Sequence, residues 1–222
     1  MANSIERCLE ALLTAPFYFG QILIQKKETG RFILSHRDDR ALDELQLFRS
    51  PEDAIDIAKY DQAEKYRPLK TAPNLRHGWR MELATLEELK RALGYFYPGR
   101  LAVFAEWKTG QLKTTPLRET LDRQSGMYRV AAKISDAQID DVVAGFCRSN
   151  GGCLRTILWT RDQSGAIATT KLLKEKFDPG VDQAATQLES TSPGTVPLLC
   201  QEACNLLVAE CRRVVKGEKT NL

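Results

Sequence analysis

The chain has 222 residues, enough for one large domain or two small ones, each with a core of its own. Charged residues make up 27% and hydrophobic residues 43%, the balance of a folded globular protein rather than a disordered or fibrous one. A net charge of only +3 without a dense Lys/Arg block argues against a dedicated nucleic-acid binder, and no run approaches the roughly 20 apolar residues of a membrane helix.

In chain order, residues 4–14 read as an amphipathic helix with Ile5, Leu9, Leu12 and Leu13 on one side and Ser4 as its cap, stopped by Pro16. Glu6 and Glu10 in this opening stretch, and its lack of a basic n-region or continuous apolar run, make a secretory leader an unsuitable reading. FYFGQILIQKK and GRFILSH, joined around Glu28-Thr29-Gly30, read as a hairpin from their β-branched and aromatic content. Ser50-Pro51-Glu52-Asp53 carries a cap, a first-position proline and first-turn acids, which predicts a helix through Ile55 and Ala58. YRPLKTAPNLRHGW, residues 66–79, has two prolines, Asn74 and Gly78, and reads as an ordered loop or irregular strand.

Thr85 and Glu88 form a capping box for a helix to about Tyr95, closed by Pro98-Gly99. LAVFAEW and QLKTT around Lys108-Thr109-Gly110 read as a second hairpin. Pro116 opens a short helix, PLRETLDRQ, ending at Gly126, and MYRVAAKI reads as a strand. Ser135 and Gln138 make another capping box, for a helix that turns Ile139, Val142, Val143 and Phe146 inward and delivers Cys147 at its end. CLRTILW reads as a strand leaving Cys153, residues 163–195 carry no clear period, and Cys200 to Lys216 reads as a strong amphipathic helix with Gly217 after it. Alternating helices and antiparallel hairpins predict an α+β fold in two small domains, 1–112 and 113–222.

The residues that carry chemistry are the cysteines. Six of them in a chain read as cytoplasmic are better taken as reduced, metal-bound or buried than as lasting disulfides. Cys147 with Cys153 and Cys200 with Cys204 form two pairs, and four soft thiolates converging would select zinc, copper(I) or an iron-sulfur cluster. Residues four apart share a helix face, so Cys200 and Cys204 are expected in the first turns, near free amide N–H groups. Gly151 and Gly152 between the other two let the backbone fold back. Zinc sites favour tighter hooks than this five-residue spacer, so spacing leans to a cluster while leaving zinc open. Cys211, beside Leu207, Val208, Val214 and Val215, is expected to pack in the core, and Cys8 beside Leu9 and Leu12 to be core or partly exposed.

Other constellations are weaker. His36 and His77 are far apart in sequence and lack a paired carboxylate motif, and no phosphate-binding glycine loop or nucleophile elbow is present, so no catalytic residue is assigned. Arg67, Lys70, Arg76, His77 and Arg80 cluster with Trp79 and could face an anion such as a carboxylate-rich tetrapyrrole, though a solvated basic face is preferred.

YRPLKTAPNLRHGW, PLRETLDRQSGMYRVAAKISDAQIDDVV and CQEACNLLVA resemble the C-terminal half of the long sirohydrochlorin cobaltochelatase-like proteins, in which chelatase domains precede a small stabilising domain and a 4Fe-4S cluster-binding domain. The likeness runs from about Phe48 to Lys216. It implies a 4Fe-4S cluster on Cys147, Cys153, Cys200 and Cys204, with Cys8 and Cys211 outside the ligand set. Gln201 departs from the proline that tends to follow the third ligand in such proteins. The α/β chelatase unit is not in this sequence, so the resemblance implies a stand-alone iron-sulfur protein that does not insert metal by itself. Its expected roles are single-electron transfer or redox sensing for a redox partner or tetrapyrrole-pathway enzyme, or, as an alternative, a structural cluster or zinc site in a protein-interaction module.

Overall fold

A computed structural model describes residues 4–41, 44–112, 121, 123, 133–148, 153–157, 194–200 and 204–217. The chain divides into two compact units, Met1–Leu112 with Thr191–Leu198, and Lys113–Ser190 with Leu199–Leu222. Both helices and strands are present, in the α+β class expected.

The first unit is organised on a six-stranded sheet. Helix α1 (Ser4–Leu12) ends before Pro16, and three strands follow: β1 (Phe17–Phe19), β2 (Ile22–Lys26) and β3 (Phe32–His36). A 3-10 turn, Arg37–Ala41, leads to β4 (Gln46–Phe48), α2 (Asp53–Lys59), β5 (Trp79–Leu83), α3 (Leu86–Phe96) and α4 (Arg100–Lys108). A short β7 (Thr195–Val196) completes the order β4-β5-β3-β2-β1-β7. The β2–β3 hairpin turns at Gly30 with Ile24 opposite Leu34, as the turn residues predict. FYFGQILIQKK, expected as one arm, folds as two strands because Gly20 takes a left-handed φ of 61° and reverses the chain. A Cβ at Gly20 would lie 2.7 Å from the Tyr97 ring, so the position admits no larger residue without displacement.

The capping box predicted at Thr85 is complete: the Glu88 N–H donates to Thr85 Oγ1 at 3.1 Å and the Thr85 N–H donates to Glu88 Oε2 at 3.0 Å. Ser50, by contrast, does not cap α2; its carbonyl accepts from the Asp53 N–H in a tight turn, and the helix starts there. LAVFAEW is the main correction in this unit, since it is helix α4 rather than a hairpin arm. Leu101, Phe104 and Ala105 are buried together at helical spacing, and packing against α1 and α3 overrides the β-like content of the segment. Aromatic side chains hold the middle of the core: Trp79 stacks on Phe96 with ring centroids 5.1 Å apart, and Phe19 meets Tyr97 edge-on at 5.6 Å.

In the second unit, α5 (Asp136–Val142) continues as a π-helical segment (Val143–Arg148), and β6 (Arg155–Ile157) pairs with β8 (Leu198–Cys200). Helix α6 (Asn205–Lys216) ends at Gly217, whose φ of 70° makes the left-handed cap. The helix predicted from Pro116 lies outside the described residues apart from helical Leu121 and Arg123; most of MYRVAAKI and residues 163–193 lie outside them as well.

Candidate metal centre

Each predicted ligand occupies a defined place in the second unit. The Ser135 box forms in both directions, the Ser135 N–H donating to Gln138 Oε1 at 2.9 Å and the Gln138 N–H to Ser135 Oγ at 3.2 Å. It starts α5, which buries Ile139 and Val142 and passes Cys147 to the π segment, where the thiol is 7% exposed. A π turn widens the helix by one residue, a distortion that recurs at functional sites and that no sequence period announces. Cys153 is half-buried two residues before β6. Cys200 ends β8, 4% exposed.

Cys204 is the N-cap of α6 with extended backbone, φ −69° and ψ 159°, and its Sγ accepts from the Leu207 N–H at 3.5 Å. An anionic sulfur there faces the positive end of the helix. This corrects the expectation that Cys200 and Cys204 share the first turns of one helix. Leu198 and Leu199 are both buried and the chain is paired with β6, so the strand extends through Cys200 and the helix begins only at Asn205.

The elements that bear or follow the four cysteines are neighbours. The π segment packs against both β6 and α6, and β6 is hydrogen-bonded to β8. Cys147 and Cys200 are buried in one apolar cluster with Leu121, Ile134, Val142 and Val208, and Cys204 packs against it. Cys211 is 0% exposed in the same cluster as Cys147 and Cys200, in line with core packing. All six cysteines are thiols.

Four thiolates are soft donors, suited to zinc or to an iron-sulfur cluster. Among the described residues no three His, Cys, Asp or Glu side chains are grouped to hold a single metal ion. Tetrahedral zinc would need its sulfurs about 2.3 Å from one point. A 4Fe-4S cluster takes one thiolate at each of four iron corners.

In the basic loop, Arg67 faces inward rather than toward a ligand. Arg67 is 1% exposed, and its guanidinium donates to Asn74 Oδ1 at 2.9 Å and to the carbonyls of Ala58, Lys70 and Ala72 at 2.8, 3.1 and 2.9 Å. The preferred solvated-face reading therefore fails for Arg67, which instead fixes the fold of the loop. Trp79 is buried in the core, and Arg80 pairs with Glu82 at 2.5 Å.

Sequence distance misled for the histidines. The β3–β5 register pairs Ser35 with Arg80, so the ends of these strands bring the His36 and His77 rings within 6.0 Å. Both have carboxylate neighbours: Asp38 Oδ2 lies 3.5 Å from His36 Nδ1, and Asp39 Oδ1 lies 3.7 Å from His77 Nδ1. Buried Asp39 also accepts from the Gly78 and Trp79 N–H groups at 2.8 and 3.3 Å, tying the turn to β5. His36 is buried, and desolvation holds its pKa below the ordinary 6.5 despite the nearby Asp38 and Asp39 charges.

Comparison with known proteins bears on the same two units. Residues 7–111 match the DR2241 stabilising domain family, and residues 109–213 match the 4Fe-4S iron-sulfur cluster binding domain family. Among solved structures the chain is similar to DR2241 from Deinococcus radiodurans, described as a multi-domain protein with structural similarity to chelatases and two additional novel domains. The two are 29% identical with a TM-score of 0.72, over 96% of this chain and 41% of that one. This chain thus spans about two fifths of the length of that relative. No curated protein matches it.

Proposed function

Taking as premise that the chain joins a DR2241-type stabilising domain to a 4Fe-4S cluster-binding domain, we propose that it is a redox protein whose cluster passes or senses single electrons. Cys147, Cys153, Cys200 and Cys204 hold the cluster in this reading. The observation that carries it is that Cys147 and Cys200 lie in one apolar cluster with Cys204 against it, while Cys153 precedes β6, the strand that pairs with β8 and packs on the π segment. When bound, the cluster supplies a one-electron couple; the apolar shell from Val142, Val143, Leu207 and Val208 lowers the local dielectric and so tunes its potential.

The natural partner class is a tetrapyrrole-pathway enzyme, an assignment supported by the chelatase likeness printed for the multi-domain relative. The two domains are taken as 1–112 and 113–222, with Thr191–Leu198 returning to the first, and the setting as a reducing cytoplasm. No helix among the described residues is long and apolar enough to cross a membrane.

A structural cluster is the second reading, favoured by one observation: three of the four proposed ligands lie in or against the main apolar core of the second unit, so the cluster would staple it. Anaerobic purification with iron, sulfide and zinc analysis, followed by a redox titration, separates these. Iron and sulfide in equal amounts with a midpoint inside the cellular range support redox work. A cluster with no accessible couple supports the staple, and stoichiometric zinc without sulfide overturns both cluster readings.

A further inference from the structure

The stabilising unit holds a hollow that the cluster does not use. Helix α1 presents Arg7, Cys8 and Ala11 at helical spacing beside Phe104, Ala105 and Lys108 of α4, and together they line a solvent-open hollow of about 510 Å3. Its origin is local: Cys8, Ala11 and Ala105 are small where two facing helices would ordinarily interdigitate larger side chains. The volume falls in the range of small-molecule sites, typically apolar with a few polar groups at the edge.

The charges are of one sign. Arg7 and Lys108 both line the hollow, and no carboxylate does among the described residues. Lys108 is held over the Trp107 ring, 4.8 Å from its centroid, and over that of Phe104 at 5.7 Å, so its ammonium stays at the apolar wall. We propose that this hollow binds a small apolar carboxylate, its hydrocarbon body over Cys8, Ala11 and Leu12 and its carboxylate between Arg7 and Lys108. The Cys8 thiol reports on the site from within. Burial raises its pKa and the Lys108 charge pulls it back down, so occupancy by an anion shields the thiol sterically and offsets that charge.

The test uses the full chain with its cluster, kept anaerobic, and dodecanoate below its micelle concentration as probe. Iodoacetamide labelling of Cys8 is read by peptide mass spectrometry. Saturating dodecanoate should slow it several-fold, and dodecanol at equal concentration should protect much less. Ala11→Phe fills the hollow and should abolish the protection. Arg7→Gln with Lys108→Gln keeps the hollow and should weaken dodecanoate roughly three- to tenfold, as expected for two partly exposed ion pairs. Unchanged Cys8 labelling in dodecanoate overturns the site, and equal protection by dodecanol overturns the anion preference. So does unaltered affinity in the double glutamine variant, which serves even if Ala11→Phe fails to fold. Cluster absorbance in the same samples is expected to stay constant throughout.

Discussion

The two units solve the problem of a small core with different materials. In the first, a six-stranded sheet and the helices around it bury Phe19, Ile22, Leu34, Trp79, Leu93 and Phe96, and a buried arginine and a buried aspartate hold its loop and turn in place. In the second, the main cluster of described residues has no ring larger than the partly buried Phe146, and it includes Cys147, Cys200 and Cys211, with Cys204 against it. A core of aromatic and branched side chains excludes water by area alone, about 25 cal/mol per Å2 of apolar surface. The buried thiols of the second core are soft ligands of the kind an iron-sulfur cluster takes. The difference teaches that the first core rests on apolar area, while the second gathers thiols within a region that matches a 4Fe-4S cluster binding domain.

The largest effect that could break this contrast is loss of the cluster. Cys200→Ser should remove iron and sulfide from the protein almost wholly and unfold the second unit, because ligand binding and folding are one equilibrium in such sites. Hydrogen exchange should then rise across α5 and α6 while the strands of the first unit keep their protection. Exchange rising equally in both units would show that they are one cooperative body.

The opposite experiment places the damage in the first unit. Trp79→Ala removes a ring stacked on Phe96 and should cost about 3–5 kcal/mol in urea unfolding of that unit, with iron content unchanged. Arg67→Met should cost somewhat less, about 3 kcal/mol, since it takes the guanidinium donor from the carbonyls of Lys70 and Ala72 and leaves that of Ala58 only the Lys70 ammonium. A stable Arg67→Met protein would reopen the reading of that loop as a ligand site.

These cases show what was readable in advance. The Thr85 and Ser135 capping boxes, the Gly30 hairpin and the Gly217 cap all follow from residues a few positions apart, and local chemistry decides them. LAVFAEW and Cys200 were misread because packing against distant segments decides them: α1 and α3 make the first a helix, and pairing with β6 makes the second a strand end. The four cysteines stood out by type and grouping. The π turn beneath Cys147, and the meeting of His36 with His77 across the ends of β3 and β5, have no signature in spacing.

That histidine corner carries a smaller, pH-dependent effect. Burial keeps His36 neutral in the folded chain with its pKa below 6.5; Asp38 and Asp39 pull it up, and His77 and Arg37 push it down. Between the folded and unfolded values the unfolded chain binds the extra proton, so stability is full above about pH 6.5 and declines as pH falls through that window. The urea midpoint of the first unit should therefore fall between about pH 7 and pH 5, and His36→Gln should flatten the decline, whereas His77→Gln should leave most of it.

The smallest effect sharpens the comparison most, because it asks whether every thiol in the second core is there for the cofactor. Cys211 is fully buried in the same cluster as Cys147 and Cys200, yet on α6 it lies seven residues, about two turns, beyond Cys204. If it only packs, Cys211→Ala should keep the full iron and sulfide content and lower the stability of the second unit by about 1 kcal/mol, the loss of one small polarizable side-chain atom. If it can serve as a reserve ligand, the single variant will look the same, but iron retained in Cys153→Ser should vanish when Cys211→Ala is added. The pair of measurements thus divides the sulfur of this core into what binds the cluster and what merely fills the space beside it.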